Sequence, residues 1–389
     1  MRITEVQLHT LKLPLVSPFT TSFGTQDVRT VIILELHARV RNSSGEMTDT
    51  VGWAECVALA DPFYSSEYVD GAHRVITDYL LPMLFAHQHE GREISAETVG
   101  HLLKPIVGHQ MAKSAVEMAV LDAQLRARGE SFAHYFGATV ERVPSGVSVG
   151  IHGSIPQLLD TVDRYLAEGY MRIKLKIQPG WEIAPIRAVR ERFGNDVLLQ
   201  VDANAAFTLA DAPLLRQLDS FNLLLIEQPL GEADLRQHAE LAKLMATPIC
   251  LDESIVSAEA AADAIAMKAA AVINIKPGRV GGYIEARKIH DLAQANGIAV
   301  WCGGMLETGL GRAANTALAA MPGFTLPGDI SASARFYKTD ITVPFLLEDH
   351  HIRVPTGPGL GVEPIPDALA EFTINSETVR AETPDPIHH

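Results

Sequence analysis

Cysteine is scarce in this chain: Cys56, Cys250 and Cys302 are the three among 389 residues, far apart and without a CxxC spacing. That pattern excludes a disulfide scaffold and a thiolate metal site, and it fits a reducing compartment. Long apolar runs are missing too. No stretch approaches the ~20 residues that cross a bilayer. The first residues, MRITEVQLHTLKLPL, alternate like a strand and do not form an apolar leader with a small-residue cleavage site. The expectation is a soluble, cytoplasmic protein with no membrane partner. Positive charge is in deficit, 32 Lys and Arg against 47 Asp and Glu, for a net charge of −15. Nucleic acid or an anionic lipid surface is thereby disfavoured as the main partner. An anionic small substrate would need local help from a metal or clustered lysines. The closing His388 and His389 are read as a solvated tail or tag remnant, not as a metal site.

What is present is globular: 47% hydrophobic residues, with 29 Gly and 22 Pro, in a chain long enough for two domains and a large core. Residues 2–14, 30–40 and 51–58 alternate like strands. Stretches 69–87 and 110–129 carry helical periodicity and end near Gly91 and Gly129. From about residue 143 the pattern changes to eight short apolar runs separated by amphipathic helices: VSVGI, MRIKLKI, VLLQVDAN, LLLIEQP, PICLDES, AVINIKPG, AVWCGG and FTLPGD. Such alternation marks parallel βα units, in either an open doubly wound sheet or a closed barrel. The near-constant unit length favours the barrel. The last 50 or so residues are strand-like and Pro/Gly-rich, and are expected to return to the first domain. The expected division is a capping domain over 1–135, a barrel over 136–330 and a C-terminal segment over 331–389.

Charged residues interrupt the apolar strands at one place per unit. Lys174 and Lys176 lie in the second run, Asp202 ends the third, Glu227 the fourth, Asp252 the fifth and Lys276 the sixth. From Lys176 onward the spacings are 26, 25, 25 and 24 residues. In a βα barrel these strand ends share one rim, where active sites of that fold are built. Three carboxylates forced together repel unless a cation neutralises them, and hard oxygen donors select magnesium, manganese or calcium. Capping of the following helices is the plainer role for any one of them, but it does not account for three in succession flanked by lysines. Lys174 and Lys176, two apart on a strand, face the same side. Their mutual repulsion is expected to depress a lysine pKa toward a neutral base.

IKLKI at 173–177, VDAN at 201–204, IEQP at 226–229, LDES at 251–254 and NIKPGRVGG at 274–282 resemble the enolase superfamily, specifically its muconate lactonizing enzyme subgroup. GGMLETGLGRAAN at 303–315 and TSFGTQ at 21–26 are similar to the group containing N-succinylamino acid racemases and o-succinylbenzoate synthases. The resemblance implies an α/β fold, a (β/α)7β modified TIM barrel with an α+β capping domain. It implies Asp202, Glu227 and Asp252 as ligands of Mg2+, with Mn2+ or Co2+ as substitutes. Lys176 and Lys276 become the two acid/base catalysts, with Lys174 as an electrostatic neighbour. Asn204 is placed by the metal-bound end of the substrate and Ser148 near its acyl portion. Gly303, Gly304, Met305 and Leu306 line the acyl and side-chain pocket, and Phe19 and Phe23 sit on a mobile loop closing over the barrel. The implied reaction is racemisation of N-acylamino acids by 1,1-proton transfer through an enediolate, with o-succinylbenzoate synthase activity beside it or in its place. The expected partner is a small carboxylate substrate, in a homo-oligomer between dimer and octamer.

Weaker signals rank lower. The glycines of GRVGG at 278–282, with Gly303, Gly304, Gly309 and Gly311, could cradle a phosphate, although they match no nucleotide motif. Cys302 ends a barrel strand without a visible partner histidine, so a small core residue is the better reading. His290, His350 and His351 carry no assigned chemistry. Dipeptide epimerases carry Asp-x-Asp after the last strand, whereas Asp329 here precedes Ile330 and Ser331, which demotes that activity. The RNSSGEMTDT segment at 41–50 lengthens a hairpin, which puts nearby pocket contacts in doubt.

Overall fold

The structure, a computed structural model, describes residues 1–381. His388 and His389 lie outside the described residues. Three strands open the chain, β1 (Arg2–Thr21), β2 (Gly24–Arg41) and β3 (Met47–Cys56), and pair antiparallel. β1 and β2 form one long hairpin. They run past the 2–14 and 30–40 limits because the irregular stretch between Pro14 and Phe19 kinks the ladder without ending it. Pro14 and Pro18 hide this extension in the sequence. The sheet buries Val6, Leu8, Leu34 and Leu36, and the helix Gln110–Arg128 packs over β2 and β3. The segment read as one helix over 69–87 is Val69–Val75, a π-turn Ile76–Leu80, and Leu81–His89. The π-turn ends two residues before Pro82, whose ring and missing N–H disturb the regular ladder.

The second sheet is parallel. After a short β4 (Arg142–Pro144), its strands are β5 (Gly146–Val149), β6 (Arg172–Lys176), β7 (Leu198–Asp202), β8 (Ile226–Glu227), β9 (Ile249–Leu251), β10 (Val272–Ile275) and β11 (Ala299–Cys302), in consecutive order. Residues 324–329 close the ring. Val300 bridges Phe324, Asp329 N donates to Cys302 O at 2.9 Å, and Gly146 N donates to Gly328 O at 2.8 Å. The eighth unit is therefore held from both neighbours by a few bonds without becoming a regular strand. Leu225, Cys250, Val272 and Trp301 fill the barrel interior as an apolar plug. Cys302 is buried, and burial pushes its thiol pKa up, which suits the core role over a nucleophilic one.

The chain then forms β12 (Leu347–Glu348) and β13 (His351–Arg353), which pairs with β4, and finally β14 (Thr373–Arg380), which pairs with β1. The β1–β2 hairpin tip docks on the barrel: Ile151 N donates to Thr20 O at 2.9 Å. Gly150 permits this approach, since a Cβ there would meet Thr20 O at 2.8 Å. The β2–β3 turn, residues 42–46 within the 41–50 segment, lies at the other end of β2 from that tip. The pocket contacts do not involve it.

Candidate active site

Register brings the charged residues together. Lys174 pairs with Ser148 on one side and Gln200 on the other, Lys176 with Asp202, and Asp202 with Glu227. Asp252 and Lys276 follow the last residues of β9 and β10. The three carboxylates and Lys174 are buried almost completely, and Lys176 and Lys276 keep 8% and 6% of their surface exposed. Lys176 Nζ donates to Asp202 Oδ2 at 2.6 Å and to Asn204 Oδ1 at 2.7 Å. Lys174 Nζ reaches Glu227 Oε2 at 2.9 Å, Asp329 Oδ2 at 2.5 Å and Asp202 Oδ2 at 3.3 Å, over the Trp301 ring. Lys276 Nζ donates to Asp252 Oδ2 at 2.7 Å and to the Tyr64 hydroxyl at 3.0 Å.

These contacts set the protonation directions. Burial alone would lower the Lys174 and Lys276 pKa values. Around Lys174, Asp329, Glu227 and Asp202 outweigh it; around Lys276, Asp252, Glu253 and Glu227 do, so both are raised. For Lys174 this reverses the depressed pKa expected from the close pair, because three carboxylates stand within 3.3 Å of its ammonium. Burial opposes ionisation of Asp202, yet Lys176 and Lys174 hold it well below the usual range. Glu227 is raised by burial and by the neighbouring Asp202 charge.

Among the described residues no three acidic, histidine or cysteine side chains stand converged on a cation; each carboxylate is turned to a lysine instead. The donor set nevertheless fits a hard divalent ion. Asp202, Glu227 and Asp252 supply oxygens from consecutive strand ends, and Asp252 Oδ1 is buried without a hydrogen-bond partner, Arg279 Nε standing 3.3 Å away. Asn274 Nδ2 donates to Glu227 Oε1 at 2.7 Å and orients it.

Above this floor lies a cavity of about 720 Å3, lined by Lys174, Lys176 and Lys276 and by Ser148, Asn204, Phe19, Phe23, Gly304, Met305 and Leu306. Gly303 stands behind the wall: a Cβ there would meet Asn274 Oδ1 at 2.3 Å, so this glycine makes room for the residue that orients Glu227. Asn204, Gln228 and Leu306 adopt positive φ at the rim, local strain of the kind that collects at functional sites. Tyr64, Glu253, Asn274, Asp329 and Arg335 belong to the network or the cavity but were not assigned from the sequence. Asn274 and Glu253 stand inside NIK and LDES and were legible there. Tyr64, in an aperiodic loop, was not.

The glycine-rich loops meet the protein's own anions. Glu117 accepts from the N–H groups of Tyr283 and Ile284, and a Cβ on Gly282 would meet its carboxyl at 2.3 Å. Glu55 accepts from Thr308 N at 3.0 Å and Gly311 N at 3.1 Å. Carboxylates of the capping domain thus occupy N–H groups beside both glycine-rich stretches, and Gly309 N donates to Asp340 Oδ1 at 2.9 Å.

Fold and rim together define a βα-barrel protein whose charged side chains gather at the strand ends. Residues 157–368 match the family model described as enolase C-terminal domain-like, and residues 3–137 match that of the mandelate racemase / muconate lactonizing enzyme N-terminal domain. The chain belongs to this family of the enolase superfamily. It is 62% identical to an N-succinylamino acid racemase of Amycolatopsis sp, over 96% of this chain and 98% of that one. It is 43% identical to an o-succinylbenzoate synthase of Geobacillus kaustophilus, over 93% of this chain and 94% of that one. The crystal structure of an enolase superfamily member from Listeria innocua superposes with a TM-score of 0.90 at 39% identity, covering 98% of this chain and 100% of that one.

Proposed function

We propose that this protein racemises N-acylamino acids, N-succinyl derivatives in particular, with o-succinylbenzoate synthase activity at the same site. The observation that carries this reading is a pair of lysines, Lys176 and Lys276, entering one cavity from β6 and from the end of β10 above three buried carboxylates. The relatives that bear the two activities support it. We assign Asp202, Glu227 and Asp252 as ligands of a magnesium ion, the metal generally used in this superfamily. Bound there, it would polarise the substrate carboxylate and make the α-proton more acidic.

The rest falls to the chain's own residues. Lys176 removes the α-proton of one enantiomer, and Lys276 delivers a proton to the opposite face of the planar intermediate. The reverse direction exchanges their roles. Each lysine can act as a base only when the carboxylate it now contacts is engaged elsewhere, so substrate turnover and release of the Lys176–Asp202 and Lys276–Asp252 pairs are linked. Asn204 holds Lys176 and Tyr64 holds Lys276 at the atoms that transfer the proton. Lys174 stays cationic beside Asp329 and Glu227, and stabilises negative charge as it develops. Phe19, Phe23, Met305 and Leu306 favour apolar amino-acid side chains and exclude water.

Synthase chemistry begins with the same proton abstraction and needs one base rather than two, so one site can serve both. The test follows N-succinyl-L-phenylalanine by polarimetry and by α-deuterium incorporation, beside synthase turnover, on one magnesium-loaded preparation. Racemisation with deuterium uptake is expected. Synthase turnover without racemisation of any N-acylamino acid would overturn the racemase reading and leave a dehydratase.

A further inference from the structure

The cavity contains a buried cation that this chemistry does not use. Arg335, on the turn Ser333–Arg335 just beyond the closing barrel segment, is 8% exposed and lines the cavity beside Ser148. Its guanidinium lies 4.6 Å from the Phe336 ring centre, 5.1 Å from Tyr165 and 5.5 Å from Phe19. Among the described residues it forms no ion pair. Its one hydrogen bond there runs from Nη2 to Ser148 O at 2.9 Å, and Nε is buried without a partner. Arg172, more deeply buried, pairs with Asp329 at 2.8 Å, whereas Arg29 and Arg312 are also buried without an ion pair among the described residues but do not line the cavity.

The balance of charge inside the barrel sharpens the contrast. Asp202, Glu227, Asp252 and Asp329 form ion pairs with Lys174, Lys176, Lys276, Arg172 and Arg279, and Glu253 accepts from Asn204 Nδ2. Arg335 stands outside that balance. A buried guanidinium is costly to leave unpaired and remains charged near neutral pH, so its anion is to be sought in a ligand. Its place also fits. The lysines that flank the α-carbon rise from β6 and the end of β10. Arg335 contacts the end of β5, on the side where an acyl tail would lie.

We propose that Arg335 binds the distal carboxylate of a dicarboxylic acyl group and so selects N-succinyl over N-acetyl amino acids. This inference rests on the racemase reading. The guanidinium fork supplies charge-assisted hydrogen bonds to that carboxylate, and the surrounding rings hold the fork in place. Asp329 does not repel the tail strongly, since Arg172 and Lys174 already neutralise it.

The experiment measures binding and turnover separately. Calorimetric titration of the magnesium-loaded protein with N-succinylglycine and N-acetylglycine reads affinity without a stereochemical reaction. kcat/KM is taken for N-succinyl- and N-acetyl-L-phenylalanine. In Arg335→Gln the Kd and KM for succinyl compounds should rise about 30-fold, with acetyl compounds changed less than about threefold. Arg335→Lys, which keeps the charge without the fork, should recover part of the loss and carries the test if the glutamine variant does not fold. Equal losses for both acyl groups would assign Arg335 a structural role and overturn the proposal, as would unchanged succinyl binding. A wild-type protein that prefers N-succinylglycine through Arg335 yet racemises neither phenylalanine derivative would sink the racemase reading while upholding the tail site.

Discussion

Two sets of fully buried carboxylates face different partners in this molecule. Asp202, Glu227 and Asp252 inside the barrel meet lysine ammonium groups, whereas Glu55 and Glu117 between cap and barrel meet backbone N–H groups. Flexible ammonium groups can leave a carboxylate, so the barrel set can exchange partners during a reaction. Helix N–H groups cannot move without unwinding the helix, so the second set serves as a clamp. In the proposed reaction the same residue type at the same burial thus supports chemistry in one place, while it ties cap to barrel in the other.

The largest break of that comparison comes from the lysines. Lys276→Ala should abolish racemisation, a loss of at least about 10³-fold, while Lys176 still exchanges the α-hydrogen of one enantiomer with deuterated solvent. Unchanged racemisation by both Lys176→Ala and Lys276→Ala would refute the two-base assignment. Next come the barrel carboxylates. Glu227→Gln and Asp252→Asn should each weaken magnesium binding and suppress turnover, and should remove the rise in Tm that magnesium produces in the wild type. Full activity after exhaustive chelation would remove the metal from the scheme.

Clamp variants should reverse the pattern, with stability lost before chemistry. Glu55→Ala strands the N–H groups of Thr308 and Gly311 and the Thr308 hydroxyl in a buried interface. The expected cost is about 2–4 kcal/mol, read from denaturant unfolding. A retained kcat per folded molecule would separate the two carboxylate sets; a collapse of kcat at unchanged stability would merge them.

The barrel set was legible in the sequence because its chemistry repeats with the fold: one charge per βα unit, always at a strand end. Glu55 and Glu117 were not. Their partners are backbone groups more than 160 residues away, and a backbone N–H leaves no side-chain signature. The glycines of GRVGG show the same limit. They stood out as an anion cradle, and the anion proved to be a glutamate of the capping domain, which spacing along the chain cannot reveal. The closed ring was favoured from unit length, but the irregular eighth unit was read as a strand because apolar FTLP resembles one. The hairpin beyond Pro14 was cut short for the opposite reason, its prolines reading as an end where the ladder only kinks.

A smaller effect is expected from pH. Burial pushes Glu55 up to about 7 and Glu117 up to about 8. A folded-state pKa above the unfolded one means the folded state binds more protons, so this contribution to stability is complete below the unfolded value near 4.5 and is lost as pH rises through 7 to 8. The Tm should therefore fall between pH 6 and 8.5. Glu117→Gln, which carries no titrating proton there, should flatten the upper part of that fall. An identical pH profile for the variant would show that Glu117 does not titrate in this range.

The smallest effect should come from the β2–β3 turn, where polar groups are neither clamped nor reactive. Asn42 Oδ1 accepts from Ser44 N at 3.0 Å and Glu46 N at 2.9 Å, so the turn satisfies itself; outside the β2–β3 strand ladder, Ser43 Oγ to Arg128 O at 2.9 Å is one bond that leaves it. It closes the end of β2 remote from Gly24–Gln26, which pair with the cavity-lining tip, and β2 is held by β1 and β3 along its length between them. Replacing residues 42–46 with a two-residue turn shortens a loop at little entropic consequence. kcat/KM should stay within about twofold, and Tm should change slightly. A tenfold change in kcat/KM would mean that the far end of β2 transmits its position to Phe19 and Phe23, making the cap sheet a lever on the site rather than a fixed lid.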